Sequence, residues 1–251
     1  MNHPAKLTCI RHGQSTLNSW HEQLHNEKLY RQFLIEYDKN PDSPRVQFLA
    51  QRFKGKYGSF IADHESRLTF TGRKQPRGTS YALRATNELP DVIYVSPYKR
   101  TLETLEQMQK VWPELRNVPV IRDLKIREQE IGEIALYGDF KVFFALNPEQ
   151  RKLHNLQDIY YYRFPNGENV PDILQRQEMW FQNICNKHAG ENVMMISHFI
   201  TILSLRAFIE NWDDKRFLNE HRTIDNINCA VTQYKDVSGK FKLTSFNQKL
   251  W

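Results

Sequence analysis

The chain has 251 residues, 40% of them apolar and 25% charged, a composition that favours one large globular domain and excludes a disordered or fibrous chain. Lysine and arginine outnumber aspartate and glutamate by 35 − 29 = 6, which suits an anionic partner but is equally typical of a generally basic surface. No apolar run approaches the roughly 18 residues of a membrane helix, and the first residues lack a signal-peptide pattern, so we expect no membrane partner.

Short apolar runs that are typical of β-strands recur along the chain and alternate with helical patterns. The helical patterns include residues 99–112 and 170–188. This alternation predicts an α/β fold in which a mostly parallel central sheet is flanked by helices. The strand-like runs are KLTCI at 6–10, DVIYVS at 91–96, VPVI at 118–121, NVMMIS at 192–197, CAVTQY at 229–234 and KLTSF at 242–246.

Positively charged or titratable side chains follow three of these runs. Arg11 and His12 come after the first, Arg100 follows the second, and His198 ends the run at 192–197. Ligands of parallel α/β sheets bind beyond the carboxyl ends of the strands. The sequence therefore predicts a site for an anionic ligand at this edge of the sheet.

Residues 19–67 differ from the rest of the chain because they are helical in pattern. Apolar residues recur at helical spacing within 30–37 and within 46–53, and the loop NPDSP at 40–44 separates them. We expect residues 1–251 to form a single domain with a helical insertion at about 19–67. The insertion would be either a lid near the site or a plain packed excursion.

A zinc site is one alternative for the histidines near the start of the chain. His21, Glu22 and His25 fit the H-E-x-x-H pattern, in which two histidines one helical turn apart bind zinc. The extended form of the pattern requires Gly and His where this chain has Lys28 and Arg31. Two solvent-facing histidines on a helix are the favoured interpretation, and we expect no metal and no cofactor.

Phosphoryl transfer is the alternative that uses His12. A neutral imidazole can attack phosphorus without a separate base, and nearby cations keep it neutral. Arg11 and Arg100 offer guanidinium groups that bind phosphate oxygens in pairs, and His198 would add a third cation if a dianion kept it protonated. An alkoxide leaving group needs a proton, which a carboxylic acid within 126–133 could supply.

Other chemistries find less support in the sequence. Cys9, Cys185 and Cys229 lack the downstream arginine of cysteine-dependent phosphatases and form no disulfide framework, so we expect reduced thiols in a cytoplasmic protein. A glycine-rich phosphate loop is missing from the sequence. Zinc-finger patterns and basic stripes are missing as well, so we expect no nucleic-acid partner.

Several segments resemble the signature of the histidine phosphatase superfamily, which is also called phosphoglycerate mutase-like. They reach from residue 7 to about residue 205 and occur in the family's order. The matching segments are RHGQSTLN at 11–18, LTFTGRKQ at 68–75, SPYKRTLET at 96–104, IREQEIG at 126–132, FPNGENVPDILQR at 164–176 and ISH at 196–198.

This resemblance implies a role for each matching residue. His12 would be the nucleophile that forms a phosphohistidine. Glu128 would be the general acid and later the activator of water, with Glu130 as its neighbour, and His198 would take part in catalysis. The phosphoryl group would be bound by four side chains, Arg11, Asn18, Arg100 and His198.

The departures from the family pattern bear on the reaction. Phe199 stands where the family usually has Gly, and Gln129 stands where mutases of the family commonly carry Arg after the acid. We therefore expect a phosphoric monoester hydrolase, a histidine acid-type phosphatase acting on a small phosphorylated metabolite. A phosphoglycerate mutase-type phosphotransferase and a non-catalytic phosphate-binding protein of the same fold are the alternatives.

Overall fold

The computed structural model describes residues 3–58, 63–86 and 89–251. Within these residues the strands form a single sheet that contains every run predicted to be a strand. The strands are β1 (Lys6–Arg11), β2 (Val92–Val95), β3 (Val120–Arg122), β4 (Asn192–Ser197), β5 (Val231–Val237) and β6 (Lys240–Gln248).

The helices of the described residues include both predicted helical patterns, as α5 and α8. Short 3-10 turns occur at Asp63–Glu65, Pro113–Asn117, Leu124–Ile126 and Gly132–Tyr137. No helix of the described part is long and apolar enough to cross a membrane. The α-helices are α1 (Thr16–Leu24), α2 (Lys28–Lys39), α3 (Pro44–Tyr57), α4 (Phe70–Thr86), α5 (Lys99–Val111), α6 (Phe140–Leu146), α7 (Pro148–Tyr161), α8 (Val170–Lys187), α9 (Phe199–Ile209) and α10 (Asp214–Thr223).

The sheet has the order β3-β2-β4-β1-β5-β6. Strands β1, β2, β3 and β4 run parallel to one another, whereas β5 is antiparallel to β1 and β6 is antiparallel to β5. The predicted α/β fold with a mostly parallel sheet is therefore confirmed.

The chain divides into two compact units. The first comprises Met1–Thr16, His64–Glu128 and Ile173–Trp251, and it contains the sheet. The second comprises Leu17–Asp63 and Gln129–Asp172, and it is helical. The organisation of 1–251 as a single domain stays a prediction, and residues 59–62 of the predicted insertion at 19–67 lie outside the described residues.

Strands β1, β2 and β4 are buried on both faces of the sheet, whereas the edge strand β3 is exposed. On β1, Leu7 and Cys9 belong to a core cluster with Trp180 of α8, whereas Ile10 belongs to a second cluster with Met108 of α5. Successive strand residues point to opposite faces. Helices on both faces explain why these strands appear in the sequence as nearly continuous apolar runs.

The helical unit has an apolar core of its own. Phe33 of α2 and Phe53 of α3 are completely buried in it, together with Val142 of α6. The apolar residues at helical spacing in 30–37 and 46–53 thus pack against one another as amphipathic helices do.

The loop after β1 meets the start of α4 backbone to backbone. A Cβ added to Gly72 would lie 1.9 Å from the carbonyl oxygen of Gln14, and one added to Gly13 would lie 2.2 Å from that of Gly72. Such distances are far below van der Waals contact, so both positions require glycine.

We expect Gly72→Ala to lower the free energy of unfolding by about 2 kcal/mol or more, because the added methyl group forces two backbones apart. Gly55→Ala is the matched control. Gly55 lies in α3 with nothing within 4 Å of the added Cβ, so alanine should stabilise the helix by about 0.5–1 kcal/mol. Urea denaturation of the two variants measures both effects. Equal stability of the two would contradict the backbone contact.

Candidate active site

The carboxyl ends of the parallel strands bring the candidate residues to one edge of the sheet. Arg11 at the end of β1 is paired in register with Ser197 at the end of β4. Val95 at the end of β2 pairs with Ile196 on the other side of β4. The residues that follow these strands, among them His12 and His198, therefore emerge side by side.

The ring of His12 is buried and held in one orientation. Only 2% of the residue is exposed, and its Nδ1 lies 2.7 Å from the carbonyl oxygen of Gly13. A carbonyl oxygen only accepts hydrogen bonds, so Nδ1 carries the proton and Nε2 keeps its lone pair. The Nε2 atom lies 3.2 Å from Nε of Arg100, which donates to it.

The backbone of His12 is fixed from two sides. Its N–H donates to the carbonyl oxygen of Ser197 on β4, at 3.0 Å. Its carbonyl oxygen accepts from the side-chain amide of Asn228 and from the backbone N–H of Cys229, each at 3.2 Å. The position of the ring therefore follows from the sheet and from the loop that precedes β5.

Arg100 lies in the first turn of α5 and is 3% exposed. Its guanidinium lies 4.9 Å from the centre of the Tyr98 ring, a cation–π contact. The hydroxyl of Thr104 donates to the carbonyl oxygen of Arg100 at 2.7 Å and accepts from the N–H of Gly13 at 3.0 Å. Helix α5 thus connects Arg100 to the loop that follows His12.

His198 is fully buried at the N-terminal end of α9. Its Nε2 lies 2.8 Å from the hydroxyl oxygen of Ser96. The centre of its ring lies 5.2 Å from that of His12 and 5.0 Å from that of Tyr98. The structure therefore brings both histidines, which are far apart in sequence, into edge contact.

Arg11 completes the cluster from the end of β1. Its residue is 6% exposed, and one of its Nη atoms donates to the backbone carbonyl of Asn226. Two buried guanidinium groups thus accompany the two imidazoles in one compact unit.

Electrostatics keep both imidazoles neutral. Burial, followed by the charges of Arg100 and Arg11, lowers the pKa of His12 well below its ordinary value of 6.5. Burial and Arg100 lower the pKa of His198 in the same direction, with smaller contributions from the other groups. His198 would thus carry a positive charge only if a bound dianion raised its pKa again. The permanent cations of the cluster are the two arginines.

Glu128 lies in the segment that follows β3, the fourth parallel strand. Strand β3 ends at Arg122 beside Val95 of β2, and Glu128 follows six residues later with a half-buried side chain. Its backbone carbonyl lies 3.3 Å from an Nη of Arg176. The sequence predicts this strand, but no pattern in it connects the strand end with Glu128.

Asn18 and the two histidines of the H-E-x-x-H pattern belong to the helical unit, whereas His12 and His198 belong to the unit with the sheet. Asn18 and His21 are in α1 and belong to the helical unit. His25 directly follows Leu24, the last residue of α1. Burial lowers the pKa of His21. The part of the chain that the structure describes holds no group of three or more potential metal ligands.

Four contacts of the cluster were not anticipated from the sequence. Ser96, Tyr98, Thr104 and Asn228 bind or pack against the predicted residues, as described above. Three of them lie within the SPYKRTLET segment, so the strand-end position of that segment was the available signal. Asn228 had no such signal.

The family model of the histidine phosphatase superfamily (branch 1) matches residues 53–249. The chain belongs to this superfamily. The match covers Arg100, Glu128 and His198 and begins after the segment with Arg11 and His12, so the resemblance seen in the sequence is confirmed and extends beyond the matched range.

The relatives of this chain are similar to it over part of their length. The phosphoglycerate mutase-like protein AT74H of Arabidopsis thaliana is 29% identical over 170 residues, which cover 60% of this chain and 57% of that protein. A 6-phosphofructo-2-kinase/fructose-2,6-bisphosphatase of Aquarana catesbeiana is 30% identical over 164 residues, covering 59% and 32%. The chain thus spans little more than half of the first of these relatives and a third of the second.

Solved structures resemble the fold over nearly the whole chain. The alpha-ribazole phosphatase of Shigella flexneri has a TM-score of 0.69 at 16% identity and covers 97% of this chain and 96% of its own. The phosphoserine phosphatase of Entamoeba histolytica, in complex with 3-phosphoglyceric acid, has a TM-score of 0.63 at 18% identity, with 97% and 96% covered. Because the sequence identities are only 16% and 18%, these similarities show a shared fold alone.

We expect the pKa of His12, measured from the pH dependence of its Cε1–H resonance, to lie below 6.5 and to rise in Arg100→Gln. Removing the neighbouring positive charge makes protonation of the imidazole less costly, so the shift is upward. Arg84→Gln is the control, because Arg84 is exposed and pairs with Glu114. A pKa at or above 6.5 in the unaltered protein would refute the electrostatic description.

Proposed function

We propose that this protein hydrolyses phosphomonoesters of small metabolites through a phosphohistidine at His12. The observation that supports the proposal most is the state of the His12 ring. Its Nδ1 proton is donated to the carbonyl oxygen of Gly13, and its unprotonated Nε2 accepts from the buried guanidinium of Arg100. That is the arrangement a nucleophile toward a phosphate group requires.

In the first step the Nε2 lone pair of His12 forms a bond to phosphorus while the bond between phosphorus and the ester oxygen breaks. Glu128, as a carboxylic acid, gives its proton to the departing oxygen, so the alcohol leaves neutral. Glu128 becomes a carboxylate, and the phosphoryl group is held on His12.

In the second step water attacks the phosphohistidine. The Glu128 carboxylate takes a proton from the water. The water oxygen bonds to phosphorus while the nitrogen–phosphorus bond breaks. Inorganic phosphate leaves, His12 recovers its lone pair and Glu128 is again a carboxylic acid. Atoms and charges return to the starting state without a cofactor.

The transferred group carries its charge on three oxygens, so its stabilisation depends on fixed positive groups. Arg11 and Arg100 supply two such groups, and both are almost completely buried. Buried guanidinium groups interact with phosphate more strongly than exposed ones because water screens them less. His198, held by Ser96, adds a ring nitrogen to the same cluster, and Asn18 is proposed to assist.

Hydrolysis is favoured over transfer between two positions of one substrate. A mutase must also hold a second anionic group, yet the residue after Glu128 is Gln129, whose amide donates to the carbonyl oxygen of Glu168 at 3.0 Å. The phosphatases among the structural neighbours support a small phosphorylated metabolite as substrate. The acid-type subclass and a cytoplasmic location remain predictions.

We expect purified protein to release inorganic phosphate from a panel of phosphomonoesters in the presence of a chelator. His12→Ala should lose activity by a factor of at least about a thousand, because no other side chain replaces the nucleophile. His25→Ala should retain activity, since the zinc pattern has no part in the reaction. Rapid acid-quench with a radiolabelled substrate should trap a phosphoryl group on the unaltered protein but not on His12→Ala.

Four kinds of result would overturn the proposal. Activity that survives in His12→Ala excludes a phosphohistidine at this position. Activity that is lost on chelation or in His25→Ala supports a metal enzyme. Isomerisation of a phosphoglycerate without phosphate release supports a mutase, and binding of phosphate without turnover supports a non-catalytic protein.

A further inference from the structure

Four consecutive backbone carbonyls in the segment that carries Glu128 are each bound by a side chain from another element. We call the four donors the carbonyl clamp: Arg176, Gln177, Ser197 and Thr201. The bonds run from Arg176 Nη1 and Gln177 Nε2 to Lys125 O, each at 2.6 Å, from Ser197 Oγ to Ile126 O at 2.7 Å, from Thr201 Oγ1 to Arg127 O at 2.5 Å, and from Arg176 Nη2 to Glu128 O at 3.3 Å.

The clamp residues are buried and lie on regular elements. Gln177, Ser197 and Thr201 are 0% exposed, and Arg176 is 8% exposed. Arg176 and Gln177 belong to α8, Ser197 ends β4, and Thr201 is in the first turn of α9. Ser197 and Thr201 flank His198 in sequence, so the segment with the acid is bound to the same backbone that places this histidine.

The segment has little regular structure of its own. It leaves β3, a three-residue strand at the edge of the sheet, where Val120 is 44% and Ile121 is 38% exposed. It then makes one 3-10 turn, Leu124–Ile126, which the Asp123 carboxylate caps by accepting from Lys125 N–H at 2.9 Å. A single capped turn does not fix the direction of the chain two residues later.

We propose that Arg176, Ser197 and Thr201 are positioning residues that hold Glu128 where it can give its proton to the leaving oxygen. The inference rests on the proposed function. A general acid must reach its proton acceptor within hydrogen-bond distance, and a displacement of about 1 Å costs a large part of its effect. Bonds to every carbonyl of the segment restrict the backbone in the way this requirement demands.

A purely structural role of the clamp predicts a different result from a positioning role. Loss of folded protein lowers turnover of all substrates equally, so the ratio of kcat/KM between two esters is unchanged. Loss of the acid's position affects only esters whose alcohol leaves as a strong base. Only the steps up to release of that alcohol contribute to kcat/KM, so the later attack of water does not affect it.

The test compares p-nitrophenyl phosphate, whose phenolate leaves without a proton, with β-glycerol phosphate, whose alkoxide needs one. For Ser197→Ala, Thr201→Val and Arg176→Lys we expect kcat/KM on β-glycerol phosphate to fall roughly tenfold more than on p-nitrophenyl phosphate, within the range that general acid catalysis contributes. Thr201→Ser keeps the hydroxyl and should restore the ratio of the unaltered protein.

Ser80→Ala is the matched control. The Ser80 hydroxyl is fully buried and donates to the carbonyl oxygen of Met108 at 3.0 Å, as Ser197 does to Ile126, but it touches neither the segment nor the site. Its loss should leave the ratio unchanged. Equal losses on both esters in all three clamp variants would overturn the positioning role while leaving the proposed hydrolase intact. If the unaltered protein hydrolyses neither ester, the proposed function and this inference both fall.

Discussion

The hydrogen bond between Nδ1 of His12 and the carbonyl oxygen of Gly13 is the interaction on which the rest of the site depends. It selects the tautomer whose lone pair is on Nε2, and it fixes the plane of the ring. Arg100 then serves two purposes from one position, because its guanidinium both bonds to Nε2 and opposes protonation of the ring. The surroundings of the His12 ring thereby keep it neutral, as its proposed role as a nucleophile toward an anion requires. This arrangement buries two positive charges, which is unfavourable in free energy, and a bound phosphate group would offset that unfavourable term.

Four candidate groups follow parallel strands that end at one edge of the sheet: His12 follows β1, Arg100 follows β2, Glu128 follows β3 and His198 follows β4. Residues at the ends of β1 and β4 are adjacent in register, and the end of β2 adjoins β4. The close packing of Gly13 and Gly72 in turn sets the path of the chain just after the nucleophile. Fold and site are thus linked at the level of the backbone, since a change of register would separate the two histidines.

The sequence was sufficient to predict the α/β fold and the residues at the strand ends, because apolar runs and turn signals are local properties. It did not predict the contacts that orient those residues. Ser96 bonds to His198, 102 positions away, and Asn228 bonds to the carbonyl oxygen of His12, 216 positions away. Contacts between residues so far apart produce no periodic pattern in the sequence. Of the compact unit formed by Leu17–Asp63 and Gln129–Asp172, the sequence predicted only the first part, because only local patterns can be seen in a sequence. Its first part shows helical spacing around a loop, whereas its pairing with the second part depends on tertiary packing.

The four groups are not held with equal rigidity by the sheet alone. His12 and His198 follow strands of six residues whose neighbours lie on both sides, so the backbone ladder determines their positions. Glu128 follows an edge strand of three residues with one neighbour. Because a short edge strand constrains the chain less, the position of Glu128 depends more on side chains, and the carbonyl clamp supplies them. Buried donors thus hold the backbone of 125–128, where the sheet constrains the chain through one neighbouring strand only.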